Sequence, residues 1–284
     1  MRIKLYRRLS RQQSTEMERH FLDYKEQMKF KNVADFAQIY EIHDRLGSGT
    51  YGTVYSGLHI RSQMPCAIKI MDKHDQISSW VTTKHELEIV EEISHPHIVR
   101  IYELMEDDEN YYIIMELMKG GDLWSKIVKA NNPFKPFTEA KAANIIHQIL
   151  LALNYMHGLN IMHRDLKPDN VLCEDFSDLG QDEIQIKLTD FGLSAKFEPG
   201  VKQDDKFGAV FKYWAPELGR RQPYDSKVDV WGVGIIAYML LTLKYPFYEH
   251  QDFKVANRSA RSQLRNHIET GHPEYNRYMK DATP

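Results

Sequence analysis

Four stretches of the chain carry residue types suited to handling a phosphate ester. Gly47-Ser48-Gly49-Thr50-Tyr51-Gly52-Thr53-Val54 gathers three glycines in a turn, where backbone N–H groups can come close to phosphate oxygens. On its own such a turn is equally a plain glycine hairpin. A dinucleotide site would need a helix after the glycines, and Thr53-Val54-Tyr55-Ser56 reads instead as a strand. Lys69 stands in the middle of the apolar strand Cys66-Ala67-Ile68-Lys69-Ile70. A buried ammonium requires a counter-charge. Glu86 is expected to supply it, because Glu88 points elsewhere on the same helix. The plainer alternative is a lysine whose head reaches water from an edge strand.

His163-Arg164-Asp165-Leu166-Lys167-Pro168-Asp169-Asn170 gathers six polar or charged residues around a leucine and a proline. Asp165 is suited to accept a proton from an attacking hydroxyl, and Lys167 to neutralise a phosphoryl group in transit. Asn170, with Asp190 of Asp190-Phe191-Gly192, offers oxygen donors of the kind Mg2+ takes, phosphates and water completing the shell.

Positioning these groups takes two kinds of scaffold. From Tyr40 onward the pattern is mostly strands: Tyr40 to Leu46, Thr53 to Ser56, Cys66 to Ile70, Val99 to Tyr102 and Tyr111 to Met115. One helix interrupts them, from Ser78 to Ser94, with Val81, His85, Ile89 and Ile93 at helical spacing and His95-Pro96 as its stop. After Gly120-Gly121 the chain turns helical. Thr138 is a candidate N-cap for a helix that ends at Gly158 and turns Ala142, Ile145, Ile146, Ile149, Leu150 and Leu153 to one broad face. Short strands follow at Ile161-Met162-His163, Val171-Leu172 and Ile186-Lys187-Leu188, with Asp175 to Glu183 as a hairpin loop. A second helix, from about Ser226 to Leu243, is apolar nearly all round, as expected in the middle of a packed unit.

The 284 residues suffice for one large domain or two lobes with real cores. A net charge of −3 gives no general reason to expect nucleic acid or a membrane surface. Two cysteines, Cys66 and Cys173, are too few for a disulfide scaffold and read as core residues in a reducing compartment. Up to Lys31 there are nine Lys/Arg against four Asp/Glu, without the apolar core of a signal peptide. Residues 1–39 are therefore expected to form a basic, solvated extension, partly helical around Glu16 to Lys29. The apolar run from Val228 to Leu243 is too short and mixed for a bilayer span. A cytoplasmic, or nuclear, location is expected.

Taken in order, the glycine loop, Ala67-Ile68-Lys69, Glu86, the block from His163 to Asn170, Asp190-Phe191-Gly192 and Ala215-Pro216-Glu217 resemble the signature set of eukaryotic protein kinases. The resemblance runs from about Tyr40 to His250. It implies an α+β, bilobal fold: a small antiparallel β-sheet lobe with one helix, to about residue 118, and a larger helical lobe over 119–284. It implies ATP and Mg2+ as cofactors and protein substrates. Gly47, Gly49 and Gly52 would cover the phosphates, and Lys69, held by Glu86, would contact them. Leu46, Val54, Ala67 and Leu172 would sandwich the adenine, and Met115 would be the gatekeeper. Glu116 and Met118 would offer backbone hydrogen bonds, and Asp122 would reach the ribose. Asp165 would be the base, Asn170 and Asp190 the metal ligands, and Asp229 the brace of the catalytic loop.

Lys167 between Asp165 and Asn170 is similar to the pattern of serine/threonine kinases. Tyr155-Met156-His157, Ile161-Met162-His163 and Leu193-Ser194-Ala195 resemble the calcium/calmodulin-dependent kinase group. Asp122 and Asp169, placed where that group often carries acids, predict substrates with Arg or Lys N-terminal to the Ser/Thr. No Ser, Thr or Tyr lies between Ser194 and Tyr213. Asp204-Asp205 offer fixed negative charge to Arg164 instead, so activity is expected without loop phosphorylation.

Two departures from the family pattern stand out. The segment Gly208 to Ala215 lacks the threonine that usually precedes Ala-Pro-Glu and bonds the catalytic Asp and Lys. The large lobe is expected to be incomplete at its C-terminus, which would leave Glu217 without its usual arginine and call for a protein partner over the gap. The alternative to an active kinase is a nucleotide-binding pseudokinase or scaffold.

Overall fold

The computed structural model describes residues 31–49, 52–74, 86–129, 137–174, 184–205 and 210–247. They fall into two compact units that divide between Leu117 and Met118, with Pro96–Ile98 joining the second.

The first unit is a six-stranded sheet of β1 (Lys31–Asn32), β2 (Tyr40–Gly49), β3 (Gly52–His59), β4 (Met64–Asp72), β5 (Ile101–Glu106) and β6 (Asn110–Met115). Its order is β1-β5-β6-β4-β3-β2, antiparallel except where β1 runs parallel to β5. Strands β4 and β6 lie inside the sheet, and the run Tyr111 to Met115 is buried at every residue, as a strand covered on both faces requires. Residues 86–90 are helical. The helix expected from Ser78 thus stops short of Ser94, and its first part lies outside the described residues. Gly52 has φ 147, and a Cβ there would stand 2.4 Å from the Ile70 carbonyl oxygen. Only glycine fits where β3 passes β4 so closely.

The expected solvated extension is corrected over residues 31–39, which pack against the sheet. Lys31 and Asn32 pair with Met105 and Glu106, and Lys31 Nζ reaches Glu103 at 2.7 Å. Asp35 caps a short 3-10 turn, Phe36–Gln38, by accepting from the Ala37 N–H at 3.1 Å. Phe36, 5% exposed, stacks on Tyr112 at 3.9 Å between ring centroids and on Tyr40 at 5.3 Å. The high basic count hid a single buried aromatic. The helix expected around Glu16 to Lys29 lies outside the described residues.

The second unit holds helices α1 (Leu123–Lys129), α2 (Glu139–Gly158), α3 (Pro216–Gly219) and α4 (Lys227–Thr242). Its strands are β7 (Gly121–Asp122), β8 (Ile161–Met162), β9 (Val171–Cys173), β10 (Ile186–Leu188) and β11 (Ala195–Lys196), paired as β10-β9-β7 and β11-β8. Thr138 Oγ1 accepts from the Lys141 N–H at 3.2 Å and starts α2. The buried face of α2 is narrower than expected: Leu150 is 43% exposed, while Gln148 points inward. Gln148 holds β10 through the Ile184 carbonyl (2.6 Å) and the Ile186 N–H (2.9 Å), a polar duty that apolar periodicity does not reveal. Helix α4 is buried along most of its length and ends at Leu243 in a left-handed conformation, φ 58. Both cysteines are fully buried, which pushes the Cys66 thiol up to about 11 and Cys173 up to about 12. Neither is poised as a thiolate. Among the described residues no helix is long and apolar enough to cross a membrane.

Phe36→Ala is expected to cost about 3–5 kcal/mol of unfolding free energy, the usual cost of emptying a buried aromatic site. Urea titration checks this, and a loss below about 1 kcal/mol would show that residues 31–39 are not part of the core.

Candidate active site

In the first unit, Lys69 and Glu86 are 8% and 5% exposed, with Lys69 Nζ at 2.7 and 3.0 Å from the two Glu86 carboxylate oxygens. Glu88 is exposed. Sheet register sets the neighbours: Val54 lies opposite both Gly47 and Lys69, Gly49 opposite Gly52, and Ala67 opposite Met115. Ala67 and Met115 are buried, whereas Leu46 is 53% exposed. Glu116 donates its N–H to the Arg100 carbonyl at 2.9 Å, and its carboxylate accepts from the Arg100 N–H at 3.2 Å.

In the second unit, the loop after β8 is built around one buried carboxylate. Asp229, in the first turn of α4, is 1% exposed. It accepts from the backbone N–H groups of His163 (2.9 Å) and Arg164 (2.8 Å), and His157 Nε2 lies 2.8 Å away. Arg164 takes the left-handed conformation, φ 65, which a non-glycine residue adopts only when its surroundings enforce it. Asp165, 6% exposed, uses Oδ2 to accept from Lys167 Nζ and from Asn170 Nδ2, the latter at 3.1 Å. Its other oxygen, Oδ1, is buried and has no hydrogen-bond partner among the described residues. Asn170 also donates to the Asp165 carbonyl at 2.8 Å, so its amide protons serve Asp165, while its amide oxygen has no hydrogen-bond partner among the described residues. The Asn170 carbonyl accepts from the Thr189 N–H at 3.1 Å, which ties Asn170 to the residue before Asp190. Asp190 is itself left-handed, φ 64. Phe191, buried, lies against the His163 ring at 5.4 Å.

Asp122 has a duty not anticipated. Its two oxygens accept from the Ser125 N–H (2.6 Å) and hydroxyl (2.8 Å), capping α1. An Asp three residues before a Ser at a helix start is a sequence signal that could have shown this. Opposite Asp122 in the β7–β9 pair is Leu172, and Met118 is buried in the same unit. Asp169 keeps an exposed edge, yet its carboxyl is raised above the usual range, first by desolvation and then by the carboxylates of Asp122 and Asp165. Asp205, not Asp204, meets Arg164, at 2.5 Å. Burial opposes ionisation of Asp205, but hydrogen bonds from Tyr224 and Arg164 and the guanidinium charge outweigh it and hold the carboxyl below the usual range. Among the described residues no basic side chain pairs with Glu217.

Residues 40–282 match the protein kinase domain. The chain belongs to the protein kinase family. The match extends past His250, where the recognisable motifs end. Myosin light chain kinase A of Dictyostelium discoideum is 35% identical over 217 residues, 76% of this chain and 70% of the relative. A probable myosin light chain kinase of the same organism is 34% identical over 249 residues, 87% of this chain and 56% of the relative. Human calcium/calmodulin-dependent protein kinase type 1B is 36% identical over 223 residues, 78% of this chain and 62% of the relative. The chain is a serine/threonine kinase of the calcium/calmodulin-dependent-kinase-like group, and it spans only part of the length of these relatives. Its α+β fold is the protein-kinase fold, with a sheet-rich first unit and a helical second one.

Two kinase residues escaped the sequence reading because they do no chemistry themselves. Tyr224, between Pro223 and Asp225, gave no periodic signal, yet its hydroxyl bonds Arg164 and Asp205. Gly232 lets α4 approach the catalytic loop: a Cβ there would lie 2.9 Å from the Leu166 carbonyl oxygen and 3.0 Å from Leu166 Cβ. At Gly234, two residues further on and so on the other side of α4, nothing lies within 4 Å. Gly232→Ala is therefore expected to destabilise the kinase by about 1–3 kcal/mol, overpacking outweighing the helix gain. Gly234→Ala should stabilise it by up to about 1 kcal/mol. Thermal unfolding of both variants decides the point, and equal shifts of the same sign would refute the close-approach argument.

Proposed function

We propose that this kinase transfers the γ-phosphate of Mg-ATP to serine or threonine hydroxyls of protein substrates. The observation that carries the reading is Asp165: one oxygen is held by Lys167 and Asn170, and the other is buried without a partner. A buried acceptor left open is costly unless a donor arrives, and a substrate hydroxyl is the donor the reaction requires. As the hydroxyl oxygen bonds to phosphorus and the bond to the ADP oxygen breaks, the hydroxyl proton passes to Asp165 Oδ1. Lys167 holds Asp165 in place and offsets charge on the phosphoryl oxygens.

The donor set suits magnesium, since the Asn170 side chain offers an amide oxygen while its backbone carbonyl bonds the residue before Asp190, whose carboxylate is a second oxygen donor. Mg2+ would supply charge neutralisation on the phosphates. In the first unit, Lys69 is fixed by Glu86 in the manner of a cation meant for phosphate oxygens. The apolar Val54, Ala67 and Met115 and the exposed Leu46 of the first unit suit the adenine side. With its N–H spent on Arg100, Glu116 would meet the adenine edge through its carbonyl. The shared electrostatic neighbourhood of Asp122 and Asp169 supports a preference for basic residues N-terminal to the acceptor. The buried, protonated cysteines suit a cytoplasmic or nuclear setting. The absence of a threonine between Gly208 and Ala215 is what favours the alternative, a nucleotide-binding scaffold.

Radiolabelled ATP and a basic Ser/Thr peptide test the reading. Transfer is expected, unaffected by prior phosphatase treatment, and Asp165→Asn should lower kcat by about 10²–10⁴-fold, the range for a positioned general base. Nucleotide-dependent thermal stabilisation with no transfer would replace the enzyme with the scaffold. A positional peptide library without basic selection would remove the role given to Asp122 and Asp169.

A further inference from the structure

The residues just before Ala215-Pro216-Glu217 carry a cation that the phosphotransfer chemistry does not use. Phe211–Tyr213 form a single 3-10 turn, in which the Trp214 N–H donates to the Phe211 carbonyl at 3.2 Å. Successive residues of such a turn point about 120° apart. Phe211 and Tyr213 are buried, and Lys212 between them is turned outward and half-buried. Among the described residues Lys212 forms no ion pair. Its Nζ lies instead over the ring of Tyr245, 5.0 Å from the centroid. A ring face attracts an ammonium and restricts a long, flexible side chain. It offers no lone pair to the three N–H donors.

Tyr245 is itself held in place. Its hydroxyl and that of Tyr213 are 2.9 Å apart, and their ring centroids are 5.8 Å apart. Trp124 of α1 packs against Tyr245 from another direction, at 5.9 Å. This row of three rings borders the acids of the catalytic loop. Burial first, then Tyr245, Asp169 and Asp165, push the Tyr213 phenol up. Burial and Asp169 raise Tyr245 as well, against the hydrogen bond from Tyr213. Trp124 follows Asp122 by two residues. The cation that Asp169 feels is Lys167, which is bonded to Asp165. The positive charge of Lys212 and the negative charges of Asp122 and Asp169 are therefore not neutralised by one another. A substrate segment lying along the rings meets both signs.

We propose that Lys212 is a specificity-determining residue that takes a carboxylate side chain of the protein substrate beside the Ser/Thr acceptor, at a position other than those read by Asp122 and Asp169. An ammonium already restrained by the Tyr245 ring loses little further freedom when a carboxylate arrives. A substrate cation at the same position would meet like charge, so the contact discriminates in both directions. The inference deepens the phosphotransfer reading and rests on it, but peptide binding reports the contact without catalysis.

The test uses the full chain and a set of basic Ser/Thr peptides in which Glu replaces Ala at one position at a time on either side of the acceptor. Two ratios between the Glu and the Ala peptide are read for each form of the protein: kcat/KM, and Kd by fluorescence anisotropy. A variant with less folded protein still reports through its ratios. At one position the parent should favour Glu by about three- to tenfold, as a partly desolvated charge pair would. Lys212→Met should abolish that preference, Lys212→Glu should reverse it in favour of Lys, and Lys212→Arg should retain it. Tyr245→Phe keeps the ring and should keep the preference, whereas Tyr245→Leu should weaken it. If no form of the protein transfers phosphate, the enzyme reading fails while the Kd ratio still reports the contact. A parent without a preference for Glu at any position, or a parental preference in Lys212→Met or in Tyr245→Leu, would overturn the proposal.

Discussion

A single carboxylate with almost no access to water organises the catalytic loop. Asp229 accepts two consecutive backbone N–H groups, and two adjacent amides can face one acceptor only if the chain between them turns sharply. The turn puts Arg164 in the left-handed region, a cost of about 1–3 kcal/mol that charge-assisted hydrogen bonds offset. With the backbone fixed in this way, Arg164 sends its side chain to Leu193, Asp205 and Tyr224. Asp165, the next residue, falls beside Lys167 and Asn170. Gly232, one turn along α4 from Asp229, removes the side chain that would otherwise hold helix and loop apart.

The buried charges follow a common rule. Lys69 and Glu86 in the first unit, and Asp165 and Asp229 in the second, are all less than a tenth exposed. Desolvating such groups is expensive, and an apolar replacement of similar volume is often no less stable. Their presence is therefore better explained by what they do than by what they stabilise. With typical domain stabilities of about 5–15 kcal/mol, a few uncompensated charges would be enough to unfold the protein, and each of these groups is accordingly held by directed hydrogen bonds. Asp165 Oδ1, the buried atom left without a donor, marks the place where the fold tolerates a cost for the sake of chemistry.

Much of this was legible in the residues alone, for definable reasons. Helix α4 fell within a residue of expectation because an apolar run with Ser226 before it has few other solutions. The Lys69–Glu86 pair was legible because a lysine amid apolar strand residues demands a partner one element away. What stayed hidden was whatever depends on a contact between distant segments with no local pattern. Phe36 docks on Tyr112 from within a segment dominated by charge, and Gln148 is buried by its bonds to β10 rather than by its hydropathy. Tyr224 acquires its role from an arginine 60 residues earlier.

Native-state amide hydrogen exchange of the His163 and Arg164 N–H groups most directly tests whether Asp229 fixes the catalytic loop. Both amides should exchange only through global unfolding, with opening free energies equal to that of the most protected residues of α4. Exchange through local fluctuations, with opening energies well below the global value, would show a loop that Asp229 does not hold and would contradict the account at its root.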